Sequence, residues 1–470
     1  MKNIVGMFVL MASQLAHAEL PNSVNVELEK IGLSANNVSV YVQALTEQPA
    51  LLNKPLITHQ ATAPLNPAST MKLLTSYAGL ALLGPAYRWK TEVYADGNLA
   101  NGVLDGNLYL KGYGDPNLTT ADFWRLLSSL RQQGVKQIKG DLIIDSSYFT
   151  SQAQSAGSFD GEATRAYNAI PSALTINGKT TSFRFDSNAS QVSLTFEPNL
   201  SELKVNNLLK IGNVDCAAWR SALRYDIKQE GDSATVTFSG AYPANCNEKY
   251  FELLVLDENN YNLSLFRKLW LGLGGSFSGK LRVQNVPINA LRLMQQDSET
   301  LAQTLIDINK WSNNLMARQL LLTIAAEKVG LPATEDNGTL AINRWLVSQG
   351  LNFNELVIEN GSGLSRAERI SAEHLGALLV HAYYSPVMPE LMGSLPVLAV
   401  DGTMLKRMRN SSAQGRAHLK TGSINGVYSM AGYVLGQNGK RYVVVFIANN
   451  AKAPLTKPAQ DALLEWVYSQ

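Results

Sequence analysis

The fold of this chain is decided by one stretch, residues 69–83, which reads STMKLLTSYAGLALL. Its apolar residues recur at three- and four-residue spacing, which predicts a helix over Thr70–Leu83 that ends at Gly84-Pro85. Residues three apart share one face of a helix, so the amine of Lys72 can reach the hydroxyl of Ser69. The N-terminal N–H groups and dipole of a helix also favour developing negative charge. The stretch therefore predicts a serine nucleophile with a lysine base.

Composition excludes several other kinds of chemistry. The 470 residues are enough for two or three domains, and 40 Lys+Arg against 38 Asp+Glu is too even for nucleic acid to be the main partner. Two cysteines and five histidines are too few for a Cys-rich zinc site or an iron–sulfur cluster, so no metal or cofactor is expected. Neither Gly-x-Ser-x-Gly nor His-Glu-x-x-His occurs. The remaining candidates are serine and lysine side chains.

The N-terminus has the pattern of a secretory signal. Lys2 is followed by the apolar run Ile4–Met11 and by Ala16-His17-Ala18, a small-x-small cleavage pattern. This predicts a signal peptide over residues 1–18 and a periplasmic mature chain; the alternative is a buried strand or short helix of a cytosolic protein. No other stretch approaches the roughly 20 apolar residues of a membrane span, so no transmembrane anchor is expected in the mature chain.

The predicted location also bears on the state of the two cysteines. In an oxidising compartment Cys216 and Cys246 are expected to form a disulfide, worth roughly 3–4 kcal/mol for a loop of this size. Two unrelated buried thiols are the alternative.

Helical patterns at both ends enclose a β-rich middle. From Tyr87 to about Lys280 short alternating runs lie between Gly, Asn and Asp turns, and one helix is expected, Thr120–Gln133. After Pro287 the patterns predict helices over Thr300–Lys310, Asn313–Val329, Gly338–Gln349, Ala372–Tyr384 and Lys457–Tyr468, with a hairpin of Val427–Leu435 and Arg441–Ile447. A domain interrupted by an insertion explains this order best.

Two further motifs stand at the heads of predicted elements. Of four Ser-x-Asn matches, only Ser312-Asn313-Asn314 begins a long amphipathic helix, where a plain N-cap serine is the alternative. Lys420-Thr421-Gly422 precedes a hairpin strand that could pair with an extended peptide, and its alternative is a loop with a turn glycine. A second Ser-x-x-Lys, Ser201–Lys204, lies in the β-rich part and is discounted.

The three motifs in this order resemble those of the penicillin-recognising serine acyl-transferases, which include penicillin-binding proteins and serine β-lactamases. The long separation between Ser69 and Ser312 and the β-rich middle are similar to class C low-molecular-mass penicillin-binding proteins. These form peptidase family S13, the penicillin-binding protein 4 type of D-alanyl-D-alanine carboxypeptidase/endopeptidase. The segments that carry the resemblance are 66–72 (NPASTMK), 112–116 (GYGDP), 360–366 (NGSGLSR), 401–403 (DGT), 420–423 (KTGS) and 426–433 (GVYSMAGY).

The resemblance implies an α/β multidomain protein. Its β-lactamase/transpeptidase-like catalytic domain would be interrupted by two inserted β-rich domains. The implied division is signal peptide 1–18, catalytic domain 19–84 and 285–470, inserted domain II 85–175 and 268–284, and inserted domain III 176–267.

The resemblance also implies catalytic roles. Ser69 would be the acylated nucleophile and Lys72 its base, and the N–H groups of Ser69 and Ser423 would form the oxyanion hole. Ser312 would relay a proton to the leaving amine and Asn314 would hold the substrate amide. Lys420 would add positive potential.

The implied substrate-side residues are less closely matched. Thr421, with Lys420, would bind the terminal carboxylate, and Tyr167 would close over the cleft. Either Glu162 or Asp160 would bind the free amine of a diaminopimelate-type side chain. The remaining substrate-side positions are Gly422, Ser423, Arg366 and Asn425.

The implied activity is cleavage of D-Ala-D-Ala in peptidoglycan stem peptides and of peptidoglycan crosslinks through an acyl-enzyme. β-Lactam antibiotics would be covalent inhibitors. Two alternatives stay open: a β-lactamase and a non-catalytic peptidoglycan-binding protein. The oligomeric state is not predicted.

Overall fold

A computed structural model describes residues 19–52, 54–150 and 155–470, so the predicted signal peptide lies outside the described residues. The helices are α1 (Asn22–Lys30), α2 (Lys72–Leu83), α3 (Thr120–Gln132), α4 (Trp219–Ala222), α5 (Glu258–Gly272), α6 (Leu301–Lys310), α7 (Asn314–Lys328), α8 (Glu335–Ser348), α9 (Ala372–Tyr383), α10 (Met388–Ser394) and α11 (Lys457–Tyr468). The first ten strands are β1 (Val38–Ala44), β2 (Ile57–His59), β3 (Arg88–Ala95), β4 (Asn98–Ala100), β5 (Val103–Asp105), β6 (Leu108–Gly112), β7 (Gln137–Ile138), β8 (Leu142–Asp145), β9 (Thr181–Ser187) and β10 (Val192–Glu197). The other ten are β11 (Leu203–Gly212), β12 (Leu223–Glu230), β13 (Ser233–Pro243), β14 (Lys249–Leu253), β15 (Ser276–Phe277), β16 (Leu281–Val283), β17 (Leu291–Thr300), β18 (Ala417–Ile424), β19 (Val427–Leu435) and β20 (Arg441–Asn449).

One antiparallel sheet organises the two ends of the chain, in the strand order β18-β19-β20-β1-β2. Its central strand β20 is apolar on both faces because both faces are covered. Val443 and Val445 pack into a core with α2, α7 and α9, whereas Val444 and Phe446 pack into a core with α1 and α11. The result is a three-layer α/β unit in which β18 is an edge strand.

Helix α2 is buried along almost its whole length and carries the predicted Ser-x-x-Lys. The α-helix begins at Lys72, and the residues just before it, Ala68–Met71, form a 3₁₀ turn. Leu73, Leu74 and Tyr77 pack in the same core as residues of α7. This packing fixes the 3₁₀ turn against the edge of the sheet.

The chain from Arg88 to Thr300 builds four further sheets. Their strand orders are β16-β8-β6-β3-β17, β15-β7-β5-β4, β10-β9-β14 and β11-β13-β12. Apolar side chains of these sheets and of α3 and α5 share one core, from Val93 to Trp270. The inserted part therefore has a hydrophobic core of its own.

Two helices, the short α4 and the longer α5, contradict the expectation of a β-rich run from Tyr87 to Lys280 with a single helix. α5 begins where the Asp257 side chain accepts a hydrogen bond from the N–H of Asn260. Tyr261, Leu265 and Trp270 are its buried face. The N-cap and the four-residue spacing were signals for a helix, but β-rich flanks obscured them.

Strand pairing also bears on the predicted division of the chain. β17 pairs with β3, with Thr300 opposite Arg88, so residues after the predicted boundary at 285 still belong to a sheet of the insertion. Helix α5 likewise crosses the predicted boundary at 268. The division into inserted domains II and III remains a prediction, because their sheets share one core.

The predicted disulfide between Cys216 and Cys246 is present. Cys246 is fully buried and packs in the core of the insertion. Among the described residues no helix is long and apolar enough to cross a membrane.

Candidate active site

Ser69 and Lys72 meet at the start of α2. One helical turn separates them, and the Nζ of Lys72 lies 3.0 Å from the Oγ of Ser69. The same Nζ donates to the Oδ1 of Asn314 at 2.6 Å and to the carbonyl oxygen of Ser362. Lys72 is fully buried, so these three oxygens make up the described hydrogen-bond environment of its amine.

Burial has a chemical consequence for Lys72. Removal from water disfavours the charged ammonium and lowers the pKa of Lys72 to about 7, although the carboxylate of Glu368 opposes this shift. A substantial fraction of neutral amine is then present near neutral pH. The amine can accept the proton of the Ser69 hydroxyl.

The backbone around Ser69 holds it in an unusual turn. Ala68 has φ of 46°, in the left-handed region that non-glycine residues seldom adopt. The hydroxyls of Thr70 and Ser429 both donate to the carbonyl oxygen of Pro67, at 2.7 and 2.6 Å. Gly363 packs directly on the Ala68 carbonyl, where a Cβ would collide. The turn is thus fixed from both sides.

Ser312 lies between α6 and α7 and faces a second buried lysine. Lys420 Nζ donates to the Oγ of Ser312 at 2.8 Å and to the carbonyl oxygen of Thr421 at 2.8 Å. The N-cap of α7 is Asn313, whose side chain accepts from the N–H of Met316. The alternative of Ser312 as a helix cap is therefore wrong, and its hydroxyl lies in the cleft.

Lys420 has a strongly shifted pKa. Its complete burial on β18 lowers the pKa well below the usual range, and the charge of Lys72 lowers it further. A charged Lys72 therefore disfavours a second positive charge on Lys420. Asn314, two residues after Ser312, accepts a hydrogen bond at its Oδ1 from the Nζ of Lys72.

The edge strand β18 carries the backbone N–H of Ser423 close to Ser69. In the hairpin Ile424 pairs with Val427 across a two-residue turn, a hydrogen-bonded pair, so the next pair, Ser423 and Tyr428, is a non-hydrogen-bonded one. The N–H of Ser423 therefore points to the open edge. A Cβ on the neighbouring Gly422 would lie 2.8 Å from the backbone N of Ser69, so the two backbones are in close contact. The N–H groups of Ser69 and Ser423 thus lie on two backbones in close contact, and a pair of such donors can stabilise an oxyanion.

Three predicted substrate-side residues lie at the rim of this cleft. Arg366 Nη1 donates to the carbonyl oxygen of Asn425 at 2.8 Å, and its guanidinium lies 4.6 Å from the ring centroid of Phe159. On the other side, Thr421 Oγ1 donates to Thr403 Oγ1 at 3.0 Å.

A loop of the insertion closes one wall. The Nδ2 of Asn314 donates to the carbonyl oxygen of Tyr167 at 3.3 Å, and the Tyr167 hydroxyl donates to Asp160 at 2.8 Å. Asp160 also accepts from Asn168 Nδ2 at 2.7 Å and from the N–H of Glu162 at 3.0 Å. The carboxylate of Glu162 is exposed and makes no hydrogen bond or ion pair within the described residues. Both candidate acids are exposed, but only Asp160 is hydrogen-bonded within the loop.

Two groups at the site were missed from the sequence, the Ser362 carbonyl and the carboxylate of Glu368. Ser362 lies within the quoted segment 360–366, but no pattern singles out a main-chain acceptor. The discounted Ser201 donates to Glu202 in the insertion, far along the chain from the cleft. Across the described ranges, no cluster of three or more His, Cys, Asp or Glu could hold a metal ion.

Comparison with known proteins gives concordant results. The sequence profile of the D-Ala-D-Ala carboxypeptidase 3 (S13) family matches residues 20–470. The chain is 28% identical over 392 residues to the D-alanyl-D-alanine carboxypeptidase DacB of Haemophilus influenzae, covering 81% of this chain and 80% of the relative. It is 30% identical over 416 residues to a D-alanyl-D-alanine carboxypeptidase of Actinomadura sp., covering 85% and 76%. The crystal structure of penicillin binding protein 4 (dacB) from Haemophilus influenzae matches with a TM-score of 0.76 at 25% identity, covering 92% of this chain and 97% of that one.

Proposed function

Because the chain belongs to the D-Ala-D-Ala carboxypeptidase 3 (S13) family, we propose that it cleaves peptidoglycan stem peptides ending in D-Ala-D-Ala, and DD-crosslinks, through a Ser69 acyl-enzyme. One observation carries the proposal. The fully buried amine of Lys72 lies 3.0 Å from the Ser69 hydroxyl, with its pKa lowered to about 7. A neutral amine at that distance can take the hydroxyl proton as Ser69 attacks the substrate carbonyl.

Acylation then follows from the remaining contacts. The N–H groups of Ser69 and Ser423 stabilise the oxyanion of the tetrahedral intermediate. As the C–N bond breaks, the proton passes to the leaving amine by way of Ser312, whose hydroxyl is held 2.8 Å from Lys420 Nζ. Lys420 and Thr421 bind the terminal carboxylate of the leaving D-amino acid. Water then hydrolyses the ester and frees Ser69.

The substrate side of the proposal rests on the insertion loop. Asn314 and Tyr167 would hold the substrate backbone. The free carboxylate of Glu162 would bind the side-chain amine of a diaminopimelate-type residue, because Asp160 is engaged within the loop. Arg366 and Asn425 would line the opposite side.

Penicillins would acylate the same serine, as expected for a chain similar to a protein named penicillin binding protein 4. A β-lactamase would share the acylation contacts and differ in fast deacylation. We therefore expect a long-lived adduct and little turnover of a chromogenic β-lactam. The expected location is the periplasm, with residues 1–18 as signal peptide.

The test is incubation of the purified mature protein with uncrosslinked and DD-crosslinked muropeptides, followed by mass spectrometry of the products. Release of D-alanine from the first and of monomers from the second is expected. The matched control is Ser69→Ala, which should release neither and should bind no labelled penicillin covalently. Muropeptide binding without any product would favour the non-catalytic alternative.

A further inference from the structure

Glu368 is a buried carboxylate that no step of the proposed reaction touches. Its side chain is fully shielded from solvent. Its Oε1 accepts hydrogen bonds from three consecutive backbone N–H groups, those of residues 359, 360 and 361, at 3.2, 3.0 and 2.9 Å. Three donors on one oxygen fix the course of the main chain immediately before Ser362.

The carbonyl oxygen of Ser362 is one of three oxygens around the amine of Lys72. Two of them, this carbonyl and Asn314 Oδ1, can only accept hydrogen bonds. When Lys72 is neutral it retains two N–H bonds, which these two acceptors take. The lone pair then points in the third direction, toward the Oγ of Ser69 at 3.0 Å.

Resting on the function proposed above, we propose that Glu368 is a positioning residue for the base. It holds segment 359–362 so that the Ser362 carbonyl and the Asn314 amide together turn the lone pair of Lys72 toward Ser69. Glu368 acts through the main chain and contacts neither Ser69 nor the substrate.

The charge of Glu368 has a separate effect. Its second oxygen, Oε2, is buried without a hydrogen-bond partner among the described residues. The charged groups that interact with its carboxylate are Lys72 from α2 and Arg318 from α7. Arg318 also interacts with Glu335 and Glu359, and Lys72 with Lys420. Burial raises the pKa of Glu368, and the three N–H donors and Lys72 oppose that rise. Its negative charge in turn favours the ammonium of Lys72, so it also sets the pH at which the base is active.

Position and charge can be separated by two variants. Glu368→Gln keeps an acceptor oxygen for the three N–H groups and removes the charge. Glu368→Asp keeps the charge and withdraws the oxygen from the N–H groups. The rate of acylation by labelled penicillin is measured from pH 5 to pH 9 for both variants and for the unmodified protein. The control variant is Glu465→Gln, which changes an exposed residue of α11.

For Glu368→Gln we expect the acidic limb of the profile to move to lower pH by about one unit, because a buried negative charge near the ammonium is lost. For Glu368→Asp we expect the limb to stay in place and the plateau rate to fall by about 10²-fold, because the lone pair is misdirected. Glu465→Gln should leave both unchanged. A purely structural role would lower thermal stability without moving the limb.

An unmoved limb in Glu368→Gln together with a full plateau in Glu368→Asp would overturn the proposal. Loss of folding in both variants, judged by thermal melting, would also overturn it, because Glu368 would then be required for the fold itself and not for the position of the base. If only Glu368→Gln folds, the position of its acidic limb decides the proposal. If only Glu368→Asp folds, its plateau rate decides. Absence of acylation in the unmodified protein would instead refute the proposed function, so the two failures are distinguishable.

Discussion

At the residue scale, the cleft contains two fully buried lysines, each paired with a serine. Lys72 contacts Ser69 and Lys420 contacts Ser312. Burial lowers the pKa of both lysines, and the charge of Lys72 lowers the pKa of Lys420 further. A serine–lysine site therefore obtains its base from desolvation, where a serine–histidine site would use the natural pKa of imidazole.

Substitution of Lys72 by alanine should remove the base. We expect the rate of acylation by labelled penicillin to fall by about 10³-fold, within the usual range for a lost general base. Lys228→Ala, an exposed lysine of β12, is the matched control and should acylate normally. An unchanged rate in Lys72→Ala would exclude Lys72 as the base.

The pH dependence of acylation should report the same group. The neutral amine is the active form, and the pKa of Lys72 is lowered to about 7. Below that pH the amine is protonated, so the rate should fall about tenfold per pH unit, and above it the rate should level off. A midpoint near the ordinary lysine value of about 10 would contradict a desolvated base.

Five motif residues of the site were predicted from the sequence, but the groups that position them, such as the Ser362 carbonyl and Glu368, were not. Ser69 and Lys72 are recognisable because helical spacing forces them together. Ser312 and Lys420 follow from the elements they precede. Glu368 acts through three backbone N–H groups, and such contacts depend on a loop conformation that no side-chain pattern specifies.

At the element scale, the edge strand β18 carries both Lys420 and the proposed oxyanion donor, the N–H of Ser423. Gly422 brings this strand into contact with the turn before α2, since a Cβ there would lie 2.8 Å from the Ser69 N and from the Pro67 oxygen. The strand can approach so closely only without a side chain at this position.

Gly422→Ala should therefore separate Ser423 from Ser69 and weaken the oxyanion hole. We expect acylation to slow by about 10²–10³-fold. The melting temperature should also fall, because the new Cβ collides with the Ser429 hydroxyl and the Pro67 carbonyl. The matched control is Gly393→Ala in α10, where a new Cβ meets nothing within 4 Å. Equal acylation rates for the two variants would show that the close contact is unimportant.

The disulfide belongs to the core of the insertion. Removing it as Cys216→Ser/Cys246→Ser opens a loop with a sequence separation of 30, which should destabilise the insertion by roughly 3–4 kcal/mol. Because the catalytic sheet has separate cores, penicillin acylation should persist below the lowered melting temperature. If the variant without the disulfide lost acylation at a temperature where its circular dichroism is unchanged, the insertion and the catalytic sheet would not be independent.

Elements with strong periodicity were predicted well. Helices α2, α3, α6, α7, α9 and α11 and the hairpin of β19 and β20 lie close to their predicted bounds. Helix α5 was missed because the segments on both sides of it are strands. The pairing of β17 with β3 was also missed, because a pairing of strands so distant in sequence leaves no local pattern.

At the scale of the whole molecule, the insertion interrupts the sequence of the catalytic domain and yet forms one wall of its cleft. Tyr167 reaches Asn314 through its carbonyl, and the same loop presents the free carboxylate of Glu162. In the proposed function the insertion therefore takes part in substrate selection, while the serines and lysines come from the catalytic sheet and its helices.

Glu162→Gln should lower activity only toward substrates that have a free side-chain amine. For peptides ending in D-Ala-D-Ala, we expect kcat/KM to fall about tenfold when the amine is free and to stay unchanged when it is acetylated, because one charge-assisted hydrogen bond is lost. Asp160→Asn disrupts the loop itself and should lower kcat/KM for both peptides. A selective effect of Asp160→Asn and none of Glu162→Gln would reverse the assignment.

The pairing of β3 with β17 also has a consequence for the order of folding. Closing a flexible loop of a few hundred residues costs about 5 kcal/mol of chain entropy, and that cost would stand between α2 and α6. Once the insertion has folded, Arg88 and Thr300 lie side by side, and α2 and α6 are joined as if by a short turn. The catalytic cleft can then assemble with the contact order of a much shorter chain, after its largest segment has already folded.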